Sequence, residues 1–192
     1  MIKTNLKSGL LTLTVFFILT GLLNSCKPKC ERHPDDPECA GEEELITTLK
    51  VTFTDSATGN AAGTFQFKDI DGNGSPEIFD TIRLAANRTY RAQLQFLNES
   101  VSPAENITDE IEAENNDHFI AFHAHDVTIG FSYIDFDSNT PALPIGLQTY
   151  WQTGSAASGT AHITLRHQPG SKDGTETPGD TDVEVEFPVI LQ

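Results

Sequence analysis

Basic side chains are scarce in this chain. It carries 12 Lys and Arg against 28 Asp and Glu, a formal net charge of −16. Nucleic-acid binding needs a basic patch that releases counterions from phosphates, so that class is excluded. Anionic lipid headgroups are disfavoured on the same ground. Catalytic signatures are missing too. There is no His-Glu-x-x-His, no phosphate-cradling loop and no dinucleotide fingerprint. The turn Gly154-Ser155-Ala156-Ala157-Ser158-Gly159 lacks the Gly-x-Ser-x-Gly spacing of a nucleophile elbow. Acidic residues are so numerous that no carboxylate pair stands out as an acid–base couple. The expectation is a protein that is not an enzyme. A glycan-active enzyme, with Tyr150 and Trp151 as stacking aromatics, is the remotest alternative. Cysteine is sparse as well: Cys26, Cys30 and Cys39 are the only three.

The chain has one long apolar run, at its start. Lys3 and Lys7 precede the stretch from Leu10 to Leu23. That layout reads as a secretory signal, too short and wrongly flanked to span a bilayer. The run ends in Leu23-Asn24-Ser25-Cys26, which resembles the signal of bacterial lipoproteins, Asn24 being unusual at its position. The resemblance implies that Cys26 becomes the first mature residue and carries acyl chains. The expected address is therefore the cell envelope, as an outer-membrane lipoprotein, periplasmic or surface-exposed. Residues 1–25 are read as the signal peptide and 26–44 as a flexible tether. The tether is rich in Pro and charge and too poor in apolar residues to fold alone. In an oxidising compartment Cys30 and Cys39 are expected to pair as a disulfide. His33 between them leaves a metal knuckle as an alternative.

From residue 45 the pattern changes to period two. Leu49, Val51 and Phe53 alternate with polar residues, as do Tyr90, Ala92, Leu94 and Phe96. Ala161, Ile163 and Leu165 repeat the pattern, and so do Val183, Val185, Phe187 and Val189. Such alternation marks half-buried strands. Single strands are also expected at 64–68, 78–84, 119–124, 127–133 and 146–153. Ser102, Pro103 and Glu105 have the spacing of a helix capping box. They predict a short acidic helix to about Glu114, with Ile107 and Ile111 inward and Asp109, Glu110, Glu112 and Glu114 wet. The fold class is all-β: an antiparallel β-sandwich over 45–192, immunoglobulin-like in outline, with one short acidic crossover helix. A closed barrel is the alternative.

Two constellations carry chemistry. Asp69-Ile70-Asp71-Gly72-Asn73-Gly74 fits the opening of a calcium loop, in which alternate oxygens converge because a glycine lets the backbone turn back. Asp69, Asp71, Asn73, Ser75, Glu77 and Asp80 are the expected calcium ligands. The flanks read as strands, so the loop is not an EF-hand. A polar hairpin turn explains the same residues without an ion. The second constellation is histidine: His118, His123, His125 and His167. His123 and His125 are two apart on one strand and face one way, while His118 faces the other. His167 continues the apolar phase of its own strand. These four are the expected ligands if the protein handles zinc or copper.

Several stretches together resemble a family of small secreted lipoproteins of Bacteroidetes, sometimes labelled type 1 periplasmic binding fold superfamily protein. They are Glu42-Glu43-Glu44-Leu45-Ile46-Thr47-Thr48-Leu49, Asp69 to Gly74, Pro103 to Ile111, Thr164-Leu165-Arg166-His167 and Thr181 to Val189. The family pattern has histidines at the positions of His118 and His167, and His123 and His125 depart from it. The family label implies an α/β fold, whereas the alternation here implies β. The resemblance adds an address more than a function. The expected role is a membrane-anchored, non-enzymatic binding module. Its expected partners are the membrane, through its lipid, and an outer-membrane uptake receptor.

Overall fold

The computed structural model describes residues 45–192. The signal, the tether and the readings placed on Cys26, Cys30, His33 and Cys39 lie outside the described residues. Within them are ten strands and one helix: β1 Thr48–Asp55, β2 Ala61–Lys68, β3 Ile78–Phe79, β4 Ile82–Leu84, β5 Thr89–Leu97, α1 Ile107–Ala113, β6 His118–His125, β7 Ile129–Tyr133, β8 Gln148–Thr153, β9 Ala157–His167 and β10 Asp180–Leu191. Among the described residues no helix is long and apolar enough to cross a membrane.

The strands form two facing sheets, the expected sandwich. One has the order β3-β2-β1-β5-β8-β7 and the other β4-β10-β9-β6. All pairs are antiparallel except β4 with β10. The alternating residues do what period two requires. Leu49, Val51 and Phe53 are fully buried from one sheet, and Ala161, Ile163, Leu165 and Phe187 from the other. Trp151 lies between them, fully buried, with its ring centroid 5.0 Å from Phe53, 4.9 Å from Phe131 and 6.0 Å from Phe122. Its indole N–H is satisfied by Thr149 Oγ1 at 3.0 Å.

Tyr90 shows why a hydroxyl belongs in this core. It is 4 % exposed, and its oxygen accepts the Ala85 N–H at 3.0 Å. A tyrosine at a strand start that bonds backbone a few residues upstream is the corner device of Greek-key sandwiches.

Two expectations are corrected. The single strand read over 78–84 is two short ones in different sheets. Asp80 follows the first, donating its N–H to Gln66 O and accepting the Gln66 N–H on Oδ2. Past Thr81 the chain crosses over, and Ile82–Leu84 runs parallel to β10. The helix does not begin at a capping box. Glu105 is held extended by a backbone bridge to Asn98, and its carboxylate accepts the Asn98 Nδ2 at 2.8 Å. The helix therefore starts after Asn106, which makes no side-chain cap bond. It does bury Ile107 and Ile111 and does link strands of opposite sheets.

Replacing Trp151 by Ala should cost about 3–5 kcal/mol, because it opens a cavity where both sheets meet. Tyr90→Phe should cost about 1–3 kcal/mol by stranding the Ala85 N–H. Urea unfolding of both variants against the parent checks the two figures; a Tyr90→Phe variant of parental stability would contradict the corner assignment.

Candidate metal centre

His118 opens β6 and His167 closes β9. Antiparallel register sets them directly opposite each other. Both continue the inward phase of their strands, so both imidazoles turn toward the sandwich interior. The rings stack, 4.7 Å between centroids and 8° between planes. Helix α1 ends just before β6, and its cap residue, Glu114, lies beside them. Ligand atoms of Glu114, His118 and His167 all fall within 4.8 Å of one another.

A fourth group comes from β10. Its register against β9 slips between Thr181 and Val183, leaving Asp182 as the extra residue of a bulge. A bulge re-aims the side chain it carries. Here it sends the Asp182 carboxylate inward, 1 % exposed, with Oδ2 3.9 Å from His118 Nε2. The loop over 168–179 closes tightly against this end. Gln168 is fully buried and donates to Thr175 O at 2.8 Å and Pro178 O at 3.0 Å. Gly179 has φ +73°, and a Cβ there would stand 2.0 Å from His167 O, so only glycine fits.

The protonation state of His118 follows from its contacts. Nδ1 lies 3.2 Å from the Glu114 carbonyl, which can only accept, so Nδ1 carries the hydrogen. Burial first, then the neighbouring His167, pushes the imidazole down from 6.5 to about 4. The ring is therefore neutral at neutral pH, and Nε2 presents a bare lone pair. That nitrogen is fully enclosed and has no hydrogen-bond partner. Its approach to Asp182 is not an ion pair at neutral pH, because the imidazole is uncharged there. Burial raises the Glu114 carboxyl as well, with His167 opposing and Asp117 and Glu110 reinforcing the rise.

The other histidines stand apart. His123 is exposed and meets Glu176 Oε2 at 2.6 Å. His125 packs edge-on against His162, which lies 3.0 Å from Glu186 and 3.5 Å from Glu184. The four expected histidines thus divide: His118 and His167 share a centre, while His123 and His125 belong to a solvated His–Glu surface. Glu114 was read as part of a wet helix face, and the structure turns it inward. Asp182 carried no sequence signal, because the bulge that aims it is not visible in the alternation.

The acidic loop keeps its oxygens on its own backbone. Asp69 Oδ2 accepts the Gly74 N–H at 2.9 Å, Asp71 takes the Asn73 N–H and Nδ2, Asn73 Oδ1 takes the Ser75 N–H, and Glu77 takes the Ile70 N–H. No three of its carboxylates lie within 4.8 Å of one another. Asp80 is committed to Gln66.

No protein-family model, curated protein or solved structure matches the chain.

The buried imidazole makes stability depend on pH in metal-free buffer. The unfolded chain protonates His118 near 6.5, the folded chain near 4. Between these values the unfolded state binds more protons, so this contribution is complete above 6.5 and is lost as pH falls to 4. Its size is on the order of 3 kcal/mol. His118→Phe, which keeps a planar ring, should flatten the stability profile over that window, measured by urea unfolding at pH 4 to 7 with chelator. Equal slopes in parent and variant would refute the assignment.

Proposed function

We propose that this chain is a non-enzymatic binding module of the cell envelope whose ligand is a divalent transition ion, zinc before copper, held by Glu114, His118 and His167. One observation carries the reading: a neutral, enclosed Nε2 lone pair on His118, stacked on a second imidazole and flanked by carboxylates. An enclosed His118 Nε2 lone pair with no donor is unfavourable, and a cation bound to it relieves that cost. Two imidazoles and a carboxylate are a donor set that zinc accepts in tetrahedral geometry, with Asp182 or water in the fourth place. Metal needs its ligands deprotonated, and His118 already is. The Glu114–His118 carbonyl bond fixes the tautomer, the usual task of groups behind a metal-bound histidine.

The address is part of the same proposal. Cys26 anchors the domain to a membrane through acyl chains, and residues 26–44 give it reach. A tethered domain holding one ion suits an accessory that presents metal to an outer-membrane receptor. That partner is argued from the address alone.

Zinc added to the purified, chelator-treated chain should raise its thermal midpoint by about 5–10 °C at a hundredfold excess over Kd. His167→Gln and Glu114→Gln should each abolish the rise, and the His123→Ala/His125→Ala double variant should keep it. The opposite pattern, or no rise in the parent, would overturn the centre. The anchor predicts incorporation of labelled palmitate in a bacterial host and its loss in Cys26→Ser. Labelling that survives in the variant would refute it.

A further inference from the structure

A second cation fits elsewhere, on grounds independent of the histidines. Asp69 directly follows β2 and is only 7 % exposed. Its backbone N–H donates to Thr47 O at 2.9 Å, which ties it to the residue just before β1. Its carboxylate projects into the loop that follows, since Oδ2 takes the Gly74 N–H. The other oxygen, Oδ1, is buried and has no hydrogen-bond partner. A buried carboxylate oxygen without a donor is costly, and in a loop of alternating oxygens it is available as a cation ligand.

The residues around it have the right chemistry. Asp71, Asn73 and Glu77 are exposed and held only by donors of the loop itself. Each bond is exchangeable for an ion. Gly72 and Gly74 have φ of +65° and +78° with open space around them, so the loop turns inward without obstruction. The donors are all oxygen and two of the flexible ones are carboxylates, which selects a hard cation of irregular coordination over a transition metal. Magnesium demands a stricter octahedron than such a loop supplies.

We infer that the loop from Asp69 to Glu77 binds one calcium ion, through the carboxylates of Asp69, Asp71 and Glu77, the Asn73 side-chain oxygen and the Ser75 carbonyl. Asp80 is not a ligand, because it closes the ladder with Gln66. Water completes the shell. The affinity belongs with extracellular modules, about 10⁻⁴–10⁻³ M. The consequence is mechanical. Thr47 follows closely on the segment read as a tether, and it is tied both to Asp69 and, through its hydroxyl, to Leu97 O and the Glu99 N–H. Calcium at this loop braces the junction between tether and sandwich.

The test is calorimetric titration of the full chain with calcium, alongside thermal unfolding in calcium, in magnesium and in chelator. A tenfold excess of calcium over Kd should raise the midpoint by about 3–6 °C, with a smaller effect from magnesium. Asp71→Ala removes an exposed ligand and should lose both the heat and the rise while matching the parent in chelator. Should that variant unfold, Asp69→Asn keeps an acceptor for Gly74 and should weaken calcium at least tenfold. His167→Gln should leave the calcium response intact, which separates this site from the zinc centre. An absent calcium response, or one retained in both loop variants, overturns the inference.

Discussion

The fold depends on one constraint: two pleated sheets must each hide an apolar face, and each hides it against the other. Trp151, flanked by Phe53 and Phe131 of its own sheet, meets Phe122 of the other where the faces touch. Neither sheet buries these rings alone. Full burial of such aromatics is worth several kcal/mol in total, offset by the ordering of the chain. Both candidate sites sit at the margins of this contact. The histidine centre lies where β6 and β9 run out of apolar residues. The acidic loop lies where β2 turns away from the core. Strand register, set by the interior, places the side chains at both margins.

How much of this was legible follows from what periodicity reports. Alternation marks which residues face inward, and it marked Leu49 to Phe53, Tyr90 to Phe96 and Ala161 to Leu165 correctly. It also showed His118 on the opposite face from His123, and His167 in the apolar phase. Two core-phased histidines at strand ends were the available signal for a shared centre. What periodicity omits is pairing. Nothing local in the chain says that β6 lies beside β9 with His118 opposite His167. Glu114 was misread because helix amphipathicity was extended past the residue where the helix stops. The strand over 78–84 was read whole because Ile78, Ile82 and Leu84 share one phase, although Asp80 interrupts that phase and the chain changes sheet there. The capping box failed for a similar reason: a bridge to Asn98 claimed Glu105 first.

The two candidate sites divide the chemistry of the chain. The histidine centre is enclosed, nitrogen-rich and prearranged by backbone: a register pair, a helix end and a bulge. Its groups lose little freedom on binding, which favours affinity. The acidic loop is open, oxygen-only and held by bonds among its own members. Its ligands must be released and regathered, which favours a weak, structural ion. With both proposed sites filled, a difference of this kind would let one small domain distinguish two cations, since donor softness and cavity rigidity both differ.

The scarcity of basic residues takes on a further meaning here. A chain of net charge −16 repels itself when compact, and each buried carboxylate adds to the cost. Lys172 offsets one of them, Asp137, at 2.9 Å with both side chains almost fully enclosed. Around His118 the described residues supply two carboxylates and two imidazoles, one held neutral. Burial disfavours the charged form of Glu114 beside them. A divalent ion would offset the negative charge and would also use the His118 lone pair. The same negative field draws cations toward the surface and raises their local concentration. Acidic composition, neutral buried imidazole and inward-turned carboxylates therefore support one another, each making cation binding more favourable than it would be alone.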